Sequence, residues 1–220
     1  KHKKVHKFHI FYVFFFYSLM TLYWTTLKDF VQYFQFIREG HSKQSTGTKV
    51  KSFLTILSWK LFYWGYIIVL PVIVLDLKLL QVFIGFASMH LVAGIILSVI
   101  FQLAHVVEET EFPVPDAKGN IENEWAIHQL ITTADFAKNN WLITFFVGGL
   151  NFQAIHHLFP QICHVHYPKI APIVEQTAKE FGIKYLHTES FWSAFASHVR
   201  FISKLGRNEI SFSSIVNKMG

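Results

Sequence analysis

Three long apolar segments occupy the first half of the chain, and short polar stretches separate them. They cover residues 8–24, 53–75 and 79–104. About 20 apolar residues are enough for a helix to cross a bilayer, so the second and third segments are each long enough to span one. Residues 76–78 alone join these two segments. The pattern therefore predicts a transmembrane helical hairpin.

The first apolar segment, residues 8–24, is short for a span and has basic residues on both sides. Basic flanks favour the cytoplasmic side of a membrane, so both of its ends are expected there. A helix with both ends on one side lies in the interface or re-enters the membrane. We predict an interfacial or re-entrant helix, with a true span as the alternative.

The chain becomes polar after residue 104, and we expect residues 105–220 to form a helical cap on the cytoplasmic side. Helices are predicted over 122–137 and over 168–181, and the apolar run 141–150 is too short to span. The predicted fold class is thus all-α, an integral membrane helical hairpin with a cytosolic helical cap and an N-terminal interfacial or re-entrant apolar helix.

Composition agrees with a membrane protein. The chain is 52% hydrophobic and 15% charged, which is too apolar for an ordinary soluble domain. Its net charge of +6 arises largely from basic runs beside apolar segments, which suit anionic lipid headgroups, so no nucleic-acid partner is expected. The single cysteine, Cys163, excludes an intrachain disulfide. The thirteen histidines point to metal binding, since histidine is the commonest protein metal ligand.

The strongest candidate site is the segment NFQAIHHLFP, residues 151–160. Gln153, His156 and His157 are spaced i, i+3 and i+4, so on a helix they project from one face. Two imidazoles and an amide oxygen on one face can bind one or two metal ions. A hydrogen-bonded surface pair of histidines is the alternative.

Two further histidines are candidate ligands. His105 stands at the end of the last predicted span, and Glu109 follows it by four residues, at a distance where a carboxylate can orient a ligating imidazole. His128 lies in the predicted helix 122–137. An interfacial histidine without a metal is the alternative for His105.

These residues also carry a family resemblance. The string NFQAIHHLFP, followed by YPKIAPIVEQTAKEFGIKY, resembles the third histidine box of membrane fatty acid desaturases. Its QxxHH form is similar to that of front-end and linoleoyl-CoA desaturase-like members. The resemblance extends over residues 102–185 and more loosely over 3–29. It implies that residues 1–220 all belong to a single fatty acid desaturase domain.

The resemblance also implies a cofactor and a ligand set. Such enzymes hold two iron ions, and the resemblance implies that His156 and His157 are iron ligands at the catalytic centre. Gln153 marks the box and joins the metal set, and His105 and His128 become additional ligands. Glu109 is expected to act on a ligand rather than on the metal.

Two earlier histidine clusters, of the HxxxH and HxxHH types, are expected upstream of Lys1. His2, His6 and His9 are not assigned to either cluster. The resemblance therefore implies that the chain is a C-terminal portion, inactive alone, with further iron ligands in the missing part.

The expected activity is O₂-dependent introduction of a double bond into a long acyl chain in lipid metabolism. The partners would be the acyl substrate, membrane lipid and an electron donor of the ferredoxin or cytochrome type, with the active site facing the cytoplasm. The alternatives are a lipid hydroxylase, a sphingolipid desaturase and a non-catalytic membrane metal-binding protein. Double-bond position, acyl carrier and oligomeric state do not follow from the sequence.

Overall fold

A computed structural model describes residues 4–40 and 45–209, so the predicted cap segment 210–220 lies outside the described residues. Helices dominate the described chain, which confirms the all-α prediction. The α-helices are α1 (His9–Ser18), α2 (Met20–Tyr23), α3 (Asp29–Arg38), α4 (Thr46–Trp64), α5 (Leu70–Val74), α6 (Leu79–His105), α7 (Trp125–Thr132), α8 (Trp141–Phe146), α9 (Gln153–Leu158), α10 (Tyr167–Glu180) and α11 (Phe191–Gly206). Short 3₁₀ segments cover Lys4–Phe8 and His164–His166, and π-helical segments cover Trp24–Lys28 and Gly65–Val69.

Two continuous helical stretches are long and apolar enough to cross a membrane. They are Thr46–Val74, which includes α4 and α5, and Leu79–His105, which is α6. They match the predicted hairpin. Near the N-terminus, the helical stretches Lys4–Ser18 and Met20–Arg38 meet at an angle of 49°. A bend of this size is typical of a broken span or of a re-entrant segment, so the interfacial or re-entrant placement of residues 8–24 stays a prediction.

The chain divides into two compact units. Phe14–Ser98 forms one, here called the hairpin unit. The residues up to Val13 and from Val99 onwards form the other, here called the site unit.

Buried polar groups of the hairpin unit are satisfied within the protein, as an apolar surrounding requires. His90 is buried, and its two ring nitrogens lie 3.1 Å from Thr21 Oγ1 and 2.9 Å from the Tyr63 hydroxyl. Lys60 pairs with Asp29 at 2.5 Å. These contacts give His90 a structural role and give Lys60 a protein partner.

The site unit contains a small parallel sheet that the sequence did not predict. Strands β1 (Asp135–Phe136) and β2 (His187–Thr188) pair with Asp135 opposite His187. The helix predicted over 122–137 is therefore wrong beyond Thr132. Thr133 adopts an extended conformation, and the backbone N–H groups that follow donate to distant carbonyls instead of continuing the helix. Tertiary hydrogen bonds thus override local helix propensity here.

The second predicted cap helix is confirmed. Helix α10 runs over Tyr167–Glu180 with Pro168 in its first turn, where a missing N–H has no cost. Gly182 follows at φ +68°, a conformation that glycine adopts without strain. Helix α11 then begins at a capping box formed by Ser190 and Ser193.

The core of the site unit joins the end of α6 to the short elements around it. Ile100, Leu103 and Ala104 of α6 form one buried cluster with residues of β1 and α11. A second cluster packs α10 against the segment that leads into α9. One cluster thus holds β1 and α11 against the last turns of α6, and the other holds α9 against α10.

Candidate metal site

Helix α9 carries the predicted histidine box, and strand β1 holds its first turn. The α9 N-cap residue, Phe152, has no side-chain cap. Instead, the buried Asp135 carboxylate accepts from the Ala154 N–H at 3.0 Å and from the Tyr185 hydroxyl. The Phe136 N–H donates to the Asn151 carbonyl at 3.0 Å. A distant strand thus caps and positions the short helix.

A tight glycine turn leads the chain into α9. Gly149 has φ +75°, and a Cβ placed there would lie 2.7 Å from His164 Cβ. The carbonyl of Gly149 accepts from the Phe152 N–H at 2.9 Å. Glycine is therefore required both for the backbone conformation and for the close approach of the chain.

Three of the predicted donor groups converge inside the site unit. The Gln153 amide Nε2 lies 3.2 Å from His105 Nε2 and 3.0 Å from His157 Nε2. The His105 and His157 rings are 5.1 Å apart between centroids. The i, i+4 spacing on α9 and the last residue of α6 thus bring two imidazoles and one amide to a single point.

Hydrogen bonds on the far sides of both rings set their tautomers. His157 Nδ1–H donates to Gln129 Oε1 at 2.6 Å, and His105 makes a hydrogen bond to the backbone of Thr132. With these protons in place, each Nε2 has a lone pair that accepts a hydrogen bond from the Gln153 amide nitrogen, and Gln153 would bind a metal through its Oε1. Outer hydrogen bonds of this kind orient metal-binding histidines in proteins.

The electrostatics keep His157 in its ligating form. Burial, followed by the neighbouring His105 and His156, lowers the pKa of His157 to about 4. The ring is therefore neutral at physiological pH, and a neutral imidazole is the form that binds a metal. In contrast, burial raises the pKa of Asp135 to about 6, although the Tyr185 hydroxyl and the Ala154 N–H act in the opposite direction.

Buried polar atoms without a hydrogen-bond partner also fit a metal ion at this site. Among residues 4–40 and 45–209, the buried side-chain nitrogen and oxygen atoms without a hydrogen-bond partner are His128 Nδ1, Asn151 Oδ1 and Gln153 Oε1. An unpaired buried polar atom is costly unless something binds it. Two of the three belong to predicted ligands. Within the same ranges, no three or more His, Cys, Asp or Glu side chains form a metal-binding group, so the converging set relies on an amide.

The other predicted site residues occupy different positions. His156 Nδ1 lies 3.2 Å from the buried Tyr167 hydroxyl, and its ring centroid is 5.8 Å from that of His157. His128 is partly buried on α7. Glu109 is exposed and accepts from the Ser197 hydroxyl at 2.9 Å. Because α6 ends at His105, the helical spacing assumed for Glu109 does not apply, and its partner in the structure is a serine.

Residues outside the predicted ligand set also support the site. Gln129, Asp135 and Tyr167 each contact α9 or one of its histidines from another element. Gln129 adjoins His128 in the sequence, which is a weak signal for a shared role. Nothing in the local pattern marks Asp135 as a helix cap, because it is 19 residues from Ala154.

The fold and site together define a helical membrane protein in which histidines and an amide converge. The sequence profile of the fatty acid desaturase family matches residues 2–189. The chain belongs to the fatty acid desaturase family.

Characterised relatives cover most of this chain. It is 37% identical to an sn-1 linoleoyl-lipid 6-desaturase of Arthrospira platensis over 92% of the chain and 54% of the relative. It is 44% identical to the Synechocystis protein of the same name over 70% of the chain and 43% of the relative. An acyl-lipid (8-3)-desaturase of Physcomitrium patens is 38% identical over 88% and 40%. The chain thus spans about half the length of these relatives. No solved structure matches it.

Proposed function

We propose that this chain is the portion of an acyl-lipid desaturase that supplies the third histidine box, and that the complete enzyme introduces a double bond into a fatty acyl chain with O₂. The observation that carries the proposal is the convergence of His105, Gln153 and His157, in which both histidine Nε2 atoms lie within 3.2 Å of the Gln153 amide. Family membership and the names of the relatives support an acyl-lipid substrate.

The proposed cofactor is a pair of iron ions. His105, Gln153 and His157 would hold iron here, with His156 and His128 as further ligands. The remaining ligands would come from HxxxH and HxxHH clusters in a segment preceding Lys1. When bound, the paired irons supply the oxidising power that removes two hydrogens from an unactivated acyl chain, using O₂ and two delivered electrons.

The protein groups around the site prepare it for the metal. Gln129 accepts a hydrogen bond from His157 Nδ1–H and so leaves the lone pair of this ring on Nε2. The Tyr167 hydroxyl lies within hydrogen-bond distance of His156 Nδ1, and Asp135 holds the first turn of α9. The ligands are thus oriented by several independent elements, which keeps their geometry fixed before metal binds.

The proposal also includes the source of the electrons and the side of the membrane that the active site faces. The electron donor would be a ferredoxin or cytochrome-type protein that reaches the site from the cytoplasmic side. The relatives' names differ in double-bond position, so the proposal extends to the acyl-lipid class and not to one position.

The test compares two histidine variants of the full-length enzyme. His157→Ala should lower bound iron and abolish unsaturated product, because an apolar side chain cannot refill the coordination position. His166→Ala is the matched control, since His166 is exposed in the 3₁₀ segment after α9. It should retain iron and activity.

Two readouts separate the outcomes. Bound iron is measured by elemental analysis, and lipid products are identified by mass spectrometry. Full iron and full activity in His157→Ala would contradict the ligand assignment. A hydroxylated product from the unmodified enzyme would indicate a lipid hydroxylase, and iron-free zinc binding would indicate a non-catalytic metal protein.

A further inference from the structure

An exposed aromatic surface lies beside the end of α6 in the site unit. It consists of side chains from α8 and the first turn of α11, here called the aromatic surface: Trp141, Leu142, Phe145, Phe146 and Trp192. The two α8 phenylalanines are 72% and 77% exposed, and the two tryptophans are 75% and 74% exposed. A groove of about 440 Å³ separates the two elements and is lined mainly by apolar side chains.

The inner face of α8 fixes where this surface lies. Ile143 of α8, with Val147 just after it, packs against the buried cluster that includes Ile100, Leu103 and Ala104 of α6. Helix α6 is one of the two stretches able to cross a membrane. At 1.5 Å per residue, Ile100 lies about 7–8 Å before the end of α6 at His105. Helix α8 therefore packs laterally against the last turns of a membrane-spanning helix.

The chemistry of the surface fits a lipid interface. Helix α8 has six residues and so extends for about 9 Å, far less than a bilayer requires. Tryptophan is enriched where membrane and water meet, because its ring is apolar and its N–H is polar. A large exposed apolar patch on a protein marks a contact with membrane or with another protein.

The nearest basic residue in the sequence is not available to lipid headgroups. Lys138, three positions before Trp141, pairs with Glu175 at 2.8 Å and lies over the Tyr185 ring. Contact with lipid would then depend on apolar burial, and salt should affect it little.

We propose that the aromatic surface inserts into the interfacial layer of the bilayer, so that the part of the chain after α6 is itself held on the membrane by α8 and the start of α11. The occupant is lipid, because the surface adjoins a membrane-spanning helix and carries tryptophans at both of its elements. The site unit is then anchored at its own surface as well as through α6.

The test measures lipid contact at single labelled positions in the full-length protein. All native cysteines, Cys163 included, are replaced by Ser, and a bimane label is attached to a single new cysteine. Phe145→Cys and Trp192→Cys report on the two elements of the surface. Phe181→Cys is the matched control, because Phe181 is 76% exposed at the end of α10, away from the cluster that contains α6. Phe83→Cys, exposed near the start of α6, reports whether α6 itself contacts lipid.

Each labelled protein is reconstituted into nanodiscs with phosphatidylcholine that carries a doxyl quencher at a shallow or a deep acyl position. Labels at 145 and 192 should lose most of their fluorescence to the shallow quencher and less to the deep one, with no change in high salt. The label at 83 should be quenched by the lipid-borne quenchers, and the label at 181 should respond to neither.

The contrary outcomes are distinct. If the label at 83 is quenched while the labels at 145 and 192 behave like the label at 181, the anchoring proposal fails. The assignment of α6 as a membrane span then still holds. If 83 is also unquenched, the membrane assignment of α6 fails and the proposal fails with it. Blue-shifted but unquenched emission at 145, lost when each disc holds one copy, would assign the surface to a second copy of the chain. Loss of quenching in high salt would replace apolar burial with headgroup attraction and overturn the proposal.

Discussion

Replacing Asp135 with alanine should loosen the helix that carries the histidine box. Asp135 is completely buried and accepts from the Ala154 N–H and the Tyr185 hydroxyl. The alanine variant leaves the Ala154 N–H and the half-buried Tyr185 hydroxyl without this acceptor, and each such donor costs about 1–3 kcal/mol. The total loss of stability is then about 2–6 kcal/mol, which lowers the unfolding midpoint by roughly 4–24 °C for a chain of this size.

Replacing Asp135 with asparagine separates the hydrogen bonds from the charge. The pKa of Asp135 is raised from 3.8 to about 6, chiefly by burial. A raised carboxyl pKa stabilises the folded state fully below pH ~4, and this contribution is lost as the pH rises through about 6. The raised pKa corresponds to about 3 kcal/mol, since one pKa unit is worth about 1.4 kcal/mol. Asparagine cannot ionise, so its variant should lack this pH-dependent loss.

The assay is thermal unfolding of the full-length protein in nanodiscs between pH 4 and pH 7.5, with bound iron measured alongside. Asp116→Asn is the control, because Asp116 lies in an exposed loop, where it accepts from the Lys118 and Asn120 N–H groups. Equal midpoints for the wild type and Asp135→Ala would refute the capping argument. An Asp135→Asn variant with the same pH profile as the wild type would refute the assignment of the titration.

Three further changes test other parts of the structure. Gln129→Ala should weaken iron binding and activity by about 10- to 100-fold, because Gln129 orients His157; metal titration and product analysis measure this. Gly149→Ala should lower stability by about 2–4 kcal/mol, since it combines a strained φ of +75° with a clash at His164; thermal unfolding measures this. Gly94→Ala should destabilise the hairpin unit, because its Cβ would lie 2.2 Å from a carbonyl oxygen of α1; thermal aggregation in detergent measures this.

Each of these changes has a matched control. Gln129→Glu retains an acceptor and should preserve more iron than the alanine variant. Gly148→Ala meets no atom within 4 Å and should cost only its backbone strain at φ +59°. Gly85→Ala, on the same helix as Gly94 and in open space, should be tolerated. Equal effects for Gly148 and Gly149, or for Gly85 and Gly94, would show that the close contacts do not matter.

The parts of the fold that the sequence predicted depend on local properties. A run of apolar residues long enough to cross a bilayer appears directly in the chain, and α4 to α6 follow from it. The i, i+4 spacing of Gln153 and His157 is also local, and in the structure their side chains meet at 3.0 Å. His105 was recognisable from its place at the end of a span.

The remainder depends on contacts between distant residues. Gln153 meets His105 across 48 positions, and Gln129 meets His157 across 28. Asp135 lies in a stretch with an acceptable helical pattern, yet its N–H pairs with the Leu186 carbonyl. Periodicity within a window cannot encode such partners, because they are set by the core that forms between elements.

The pairing of β1 with β2 makes the order of synthesis matter. The Asp135 and Ala137 N–H groups donate to the Leu186 and Thr188 carbonyls. A nascent chain that has reached residue 158 already contains every proposed ligand of this portion, but not these acceptors. At about 5–20 residues per second, the ribosome needs roughly 2–6 s to add them. During that interval the proposed ligands exist without the strand that braces their helix, so the proposed metal site reaches its folded shape only after residue 188 has been translated.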